Sequence, residues 1–107
     1  MRLLLALLLS CAAISAQAAA PVSTEVALAL ARQHNCLACH AIDRKVACPA
    51  WRDVANRYRN DAGAEARLVN KIAKGGSGVW GDMAMPAHPH INEADRTTLA
   101  RFILNLR

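Results

Sequence analysis

The sequence predicts an all-α domain of about four helices, and three observations predict it. Apolar residues recur at helical spacing in four separate stretches. Each stretch opens on a residue suited to a helix start, and the third ends on a glycine pair. No stretch makes a convincing strand.

The elements follow in order. Ser23 or Thr24 can cap the first helix, with Val26, Ala27, Leu30 and Ala31 turned inward. Pro49 suits the first position of the second, whose apolar stripe is Trp51, Val54, Ala55 and Tyr58. Asp61 can cap the third, with Leu68, Val69 and Ile72 inward; Lys71 and Lys74 oppose its dipole and Gly75-Gly76 ends it. The segment "GGSGVWGDMAMPAHPH" reads as a loop, because glycine and proline punctuate it. Asn92 caps the last helix, with Asp95 in a capping-box position and Leu99, Phe102, Ile103 and Leu106 inward.

The stretch "HNCLACHAI" carries the chemistry. A Cys-x-x-Cys pair can be a redox disulfide, half of a zinc site or a haem tether, and the histidine immediately after Cys39 favours the tether. Two thiols at this spacing reach the two vinyl groups on one porphyrin edge. The chain between them folds so that the next side chain, His40, presents an imidazole nitrogen to the iron. The zinc reading lacks a second Cys-x-x-Cys at the expected spacing.

The first residues read as a secretory leader. Arg2 precedes an apolar run from Leu3 to Ile14, and Ala16-Gln17-Ala18 is a small-x-small cleavage site. The run is too short for a bilayer span, which takes about 20 apolar residues. A lipoprotein reading through Cys11 is weaker, since a good cleavage site lies downstream. Cleavage after Ala18 leaves residues 19–107 as the domain, with 12 basic against 8 acidic residues, a formal +4. Three cysteines remain in an oxidising compartment, and Cys48 is left over if Cys36 and Cys39 hold a haem. The domain has only Trp51, Tyr58, Trp80 and Phe102 as aromatics, a marginal core that a covalently held porphyrin would fill out.

A haem iron with one histidine needs a sixth ligand or an open face, and Met/His pairing raises the reduction potential. The loop offers Met83 and Met85, and a proline follows Met85. Here the chain resembles the small bacterial monohaem class I cytochromes c, of the type that carries electrons to periplasmic nitrite reductase and terminal oxidases. The resemblance runs through "CLACHAID", "CPAWRDVANRY", "AGAEARLVNKI", "GSGVWGDMAMP" and "LARFILNL". It implies a compact class I fold of about four helices wrapped around one covalently attached haem c. Cys36 and Cys39 match the thioether cysteines and His40 the proximal iron ligand. Pro49 matches the proline whose carbonyl accepts the other imidazole N–H, Trp80 a tryptophan near a haem propionate, and Met85 the distal ligand. Met83 matches a packing position. Cys48 and Asn35 stand where the family usually has glycine, and asparagine tolerates the left-handed conformation best after glycine. His34, His88 and His90 read as surface or solvated loop residues.

The function implied is electron transfer, with iron cycling between two oxidation states and no open site for a substrate. The alternative is a small haem enzyme or gas-binding protein in which the methionine is displaced. The implied setting is the periplasm and the implied state a monomer without stable membrane insertion. Its partners would be an electron donor and an electron acceptor with acidic docking surfaces. Nucleic acid is excluded, because the chain reads as exported and no basic–aromatic cluster appears. Arg32, Arg44, Lys45, Arg52, Arg57 and Arg59 read as a solvated face, some of which can steer an acidic partner.

Overall fold

The computed structural model describes residues 22–107, so the leader expected over residues 1–18 lies outside the described residues. Four α-helices form the body: α1 (Thr24–Gln33), α2 (Trp51–Tyr58), α3 (Ala64–Lys74) and α4 (Glu93–Leu104). A short 3₁₀ turn, Cys36–Ala38, follows α1. Helix α4 is the hub and packs against the other three.

The helix starts show how local chemistry sets the boundaries. Ser23 caps α1, with its hydroxyl accepting from the Val26 N–H at a long 3.5 Å. Asn92 caps α4 more firmly. Its Oδ1 accepts from the Asp95 N–H at 2.8 Å, and its Nδ2 donates to the Asp95 carboxylate at 3.3 Å. Such a cap is worth about 1 kcal/mol.

Two expected starts move. Helix α2 begins at Trp51, two residues after Pro49, because Ala50 is still extended (φ −57°, ψ 138°). No side chain caps it. Its first N–H groups, on Trp51 and Arg52, donate instead to the carbonyls of Ala41 and Ile42 at 2.9 and 3.0 Å. Helix α3 begins at Ala64 with Gly63 as its cap residue. Asp61 acts two positions early, accepting from the Gly63 N–H at 2.8 Å and from Arg67 at 2.7 Å.

The core follows the helical stripes with one shift. Ala27 and Ala31 of α1 are fully buried, as is Ala100 of α4, whereas Val26 faces outward. Small side chains let two helix backbones approach closely. Trp51, Val54, Ile72, Ile91, Leu99, Phe102 and Ile103 complete the core. Full burial of a side chain such as Leu99 contributes about 1.5–3 kcal/mol.

The glycine-rich segment is not all loop. Strands β1 (Gly76–Gly78) and β2 (Gly81–Met85) form an antiparallel hairpin, with Gly76 opposite Met85 and Gly78 opposite Gly81. Glycines at positive φ (76, 78 and 81) give it no strand propensity that periodicity could detect. It is a minor element and leaves the helical class intact.

Gly75 joins α3 to this hairpin. Its φ is +65°, and its N–H donates to the Lys71 carbonyl at 2.7 Å. A Cβ there would lie 2.3 Å from the Met85 carbonyl oxygen and 2.8 Å from the Ala87 nitrogen. Both are backbone atoms that cannot swing aside. We expect Gly75→Ala to cost about 2 kcal/mol or more and to lower Tm by roughly 8 °C or more. Thermal unfolding followed by circular dichroism checks this, and a shift below about 2 °C would contradict the close approach.

Candidate haem site

The cysteine motif is shaped by its backbone. Asn35 adopts the left-handed conformation (φ 59°, ψ 23°) and turns the chain out of α1 into the 3₁₀ turn. The Cys36 carbonyl accepts from the N–H groups of both Cys39 and His40, at 3.2 and 2.9 Å. The two thiols and the imidazole are thus presented from one tight turn. The following residues fold back on it, as the Cys48 N–H donates to the Cys39 carbonyl at 2.9 Å.

His40 is fixed through one edge and one face of its ring. Its Nδ1 donates to the Pro49 carbonyl at 2.7 Å. This choice of tautomer leaves Nε2 as a lone-pair donor. Burial holds the imidazole pKa below its ordinary value, and the Pro49 hydrogen bond opposes this only in part. Burial thus favours the neutral ring, the form that a metal binds. Trp51 stacks on it at 5.7 Å, and Phe102 meets Trp51 edge-on at 6.2 Å. This aromatic chain ties the imidazole to α2 and α4.

Two contiguous clefts open beside His40. The narrower, about 520 Å³, is lined by Cys36, Cys39, Met85 and Leu99 among others. The wider, about 1100 Å³ and open to solvent, continues to Trp80 and Lys71. Both share His40, Cys48, Trp51, Ile72, Met85 and Ile103. The shared wall is mostly apolar, while Arg67, Asn70, Lys71 and Trp80 bring polar groups to the wider end. Two thiols, a neutral imidazole and a thioether on one apolar slot with a cationic rim make a donor set that fits a porphyrin carrying an iron and two carboxylates.

The methionines differ. Met85 is half-buried and packs on the core, whereas Met83, two residues earlier on the same strand, is 63% exposed. Met83 lines the wider cleft together with Trp80. Trp80, 40% exposed, borders the wider cleft.

Cys48 is 5% exposed. Burial pushes its thiol pKa up, and the adjacent Cys39 thiol adds to the rise. Burial likewise raises Cys36.

Three features escaped the sequence reading. Trp51, a residue of the α2 apolar stripe, is also the shelf beside His40, and its place two residues after Pro49 is the signal for that role. Arg57 lies over the Trp80 ring at 4.7 Å, a contact across separate elements with no local signature. His34, His88 and His90 gather, with ring centroids of His34–His90 and His88–His90 at 5.5 and 5.8 Å. Among the described residues, no group of three or more such side chains has the geometry to hold a metal ion. Nor is any helix among them long and apolar enough to cross a membrane.

Comparison with known proteins gives the same reading. The model of the family described as Cytochrome c matches residues 27–107. Cytochrome c-551 from Allochromatium vinosum is 43% identical over 79 residues, covering 74% of this chain and 84% of the relative. Cytochrome c-551 from Pseudomonas aeruginosa is 42% identical over 76 residues, covering 71% and 72%. The crystal structure of Nitrosomonas europaea cytochrome c552 superposes with a TM-score of 0.72 at 41% identity, covering 75% of this chain and 99% of that one. These relatives are electron carriers rather than enzymes. With its Cys-x-x-Cys-His turn, oriented imidazole and helical frame, the chain belongs to the cytochrome c family as a small monohaem class I member, an electron-transfer protein with covalently bound haem c.

Proposed function

We propose that the chain is a periplasmic electron shuttle whose haem is held by Cys36 and Cys39 through thioether bonds and by His40 and Met85 as axial ligands. The observation that carries this is the shared cleft wall, where His40, its Nδ1 bound to the Pro49 carbonyl, and Met85 line the same apolar slot as the two thiols. The haem supplies the one-electron couple. The chain does the rest. Pro49 fixes the imidazole and strengthens it as a donor. Trp51, Ile72, Leu99 and Ile103 line the slot with apolar surface that excludes water. Trp80, with Lys71 nearby, offers polar partners to carboxylates at the wider end.

Residues 1–18 act as the export leader and 19–107 as the working domain. The electron enters from a membrane or soluble reductase and leaves to a terminal oxidase or nitrite reductase. The protein works as a monomer, and its positive balance favours partners with acidic docking surfaces.

Met85→Ala abolishes the charge-transfer band of methionine-ligated ferric haem and lowers the potential, whereas Met83→Leu leaves both nearly unchanged. Optical spectra and redox titration of the two variants check this, and the opposite pattern would reverse the assignment.

Electron transfer to the acceptor slows as salt rises, because screening over about 10 Å at 0.1 M weakens long-range attraction. Stopped-flow rates across ionic strength measure it. A flat profile would mean that docking is apolar.

Cys48 stays reduced and inert in the folded holoprotein. We expect its thiol to react with DTNB only after unfolding, the Cys48→Gly spectrum to match the parent, and non-reducing gels to show a monomer. A dimer that reductant collapses would make Cys48 an assembly residue.

A further inference from the structure

The β1–β2 hairpin is poorly anchored by its own sequence. It has glycines at positive φ at 76, 78 and 81, and its residues are exposed except Met85. An isolated two-stranded hairpin is marginal in water. Its base is held at Gly75 and by the His88 N–H, which donates to the Ile72 carbonyl at 3.0 Å. Its tip, the turn residues Val79 and Trp80, has a different anchor.

That anchor is Arg57 on α2. Its Nη1 donates to the Val79 carbonyl at 2.9 Å, and its guanidinium carbon lies 4.7 Å from the Trp80 ring centroid. Among the described residues, no other side-chain hydrogen bond reaches residues 76–85. Arg57 thus engages the turn through an N–H donor and through its guanidinium over the Trp80 ring at once. Arg59, a neighbour of equal charge, reaches Asn56 and the Leu106 carbonyl instead.

We propose that Arg57 is a positioning residue, clamping the Val79–Trp80 turn to α2 and so fixing the direction from which Met85 approaches the haem site. The proposal rests on Met85 being the distal ligand. Both clamp contacts are exposed. Their combined effect is therefore modest, and we expect it at about three- to tenfold in how readily an outside ligand displaces Met85.

The experiment titrates ferric holoprotein with imidazole and follows loss of the methionine–iron band. Arg57→Ala should bind imidazole about three- to tenfold more tightly than the parent. Arg59→Ala, which removes the same charge, should stay within about twofold. Arg57→Lys keeps the charge but not the planar stack, so it should recover less than half of the change on a logarithmic scale. Arg57→Gln carries the expectation of the alanine variant should that one fail to accumulate. An unchanged affinity in Arg57→Ala, an equal change in Arg59→Ala, or full recovery by lysine overturns the clamp. Met85→Ala separates the two readings. If it retains the band, the distal-ligand assignment fails whatever Arg57 does. If it loses the band while Arg57→Ala behaves as the parent, only the clamp fails.

Discussion

The 2.7 Å hydrogen bond from His40 Nδ1 to the Pro49 carbonyl is the constraint on which the rest of the structure depends. It spans nine residues, so it closes the loop after the cysteine motif. A single carbonyl then decides three things. It sets the tautomer, and with it which nitrogen faces the cleft. It sets the ring plane, against which Trp51 stacks at 5.7 Å. It also sets where α2 begins. Pro49 must turn its carbonyl toward His40, so the chain stays extended through Ala50 and the helix starts only at Trp51. The same loop supplies the Ala41 and Ile42 carbonyls that satisfy the first N–H groups of α2. Site and helix are therefore one hydrogen-bonded unit, and neither can move without unpairing a backbone group, a cost of about 1–3 kcal/mol where it is buried.

The helical stripes and the tethering motif were legible because both are local. Asn92 caps α4 through residues three apart, and Asn35 takes the left-handed turn that its residue type tolerates. What was not legible is what depends on distant partners. Pro49 looks like a helix opener to any rule that reads neighbours, and only its carbonyl's engagement with His40 displaces the start. Asp61 looks like a cap, but its pairing with Arg67 and the Gly63 N–H puts it before the helix. The hairpin was hidden for another reason. Strand propensity comes from β-branched and aromatic side chains, and three glycines at positive φ carry none. Pairing there comes from the chain being drawn back across Gly75, where only a hydrogen fits between α3 and the Met85 carbonyl.

The two faces of the site divide its work. On one side, His40, Trp51 and Phe102 are tied into α2 and α4. On the other, Met85 sits at the end of an exposed strand. Under the proposed ligation the two donors come from elements of unequal support, His40 from the packed body and Met85 from the hairpin. The core supplies the stiffness, and the hairpin needs only enough anchoring to return Met85 to one place.

Cys48 fits this picture as a residue whose backbone matters more than its side chain. Its N–H donates to the Cys39 carbonyl, a bond that any residue except proline could make. Among the described residues, Asn35 is the only non-glycine at positive φ, so position 48 does not require glycine's conformational freedom. A cysteine there needs only room for one sulfur, and at 5% exposure it has been packed as a small hydrophobe. The elevated pKa follows from that packing and keeps its thiolate scarce.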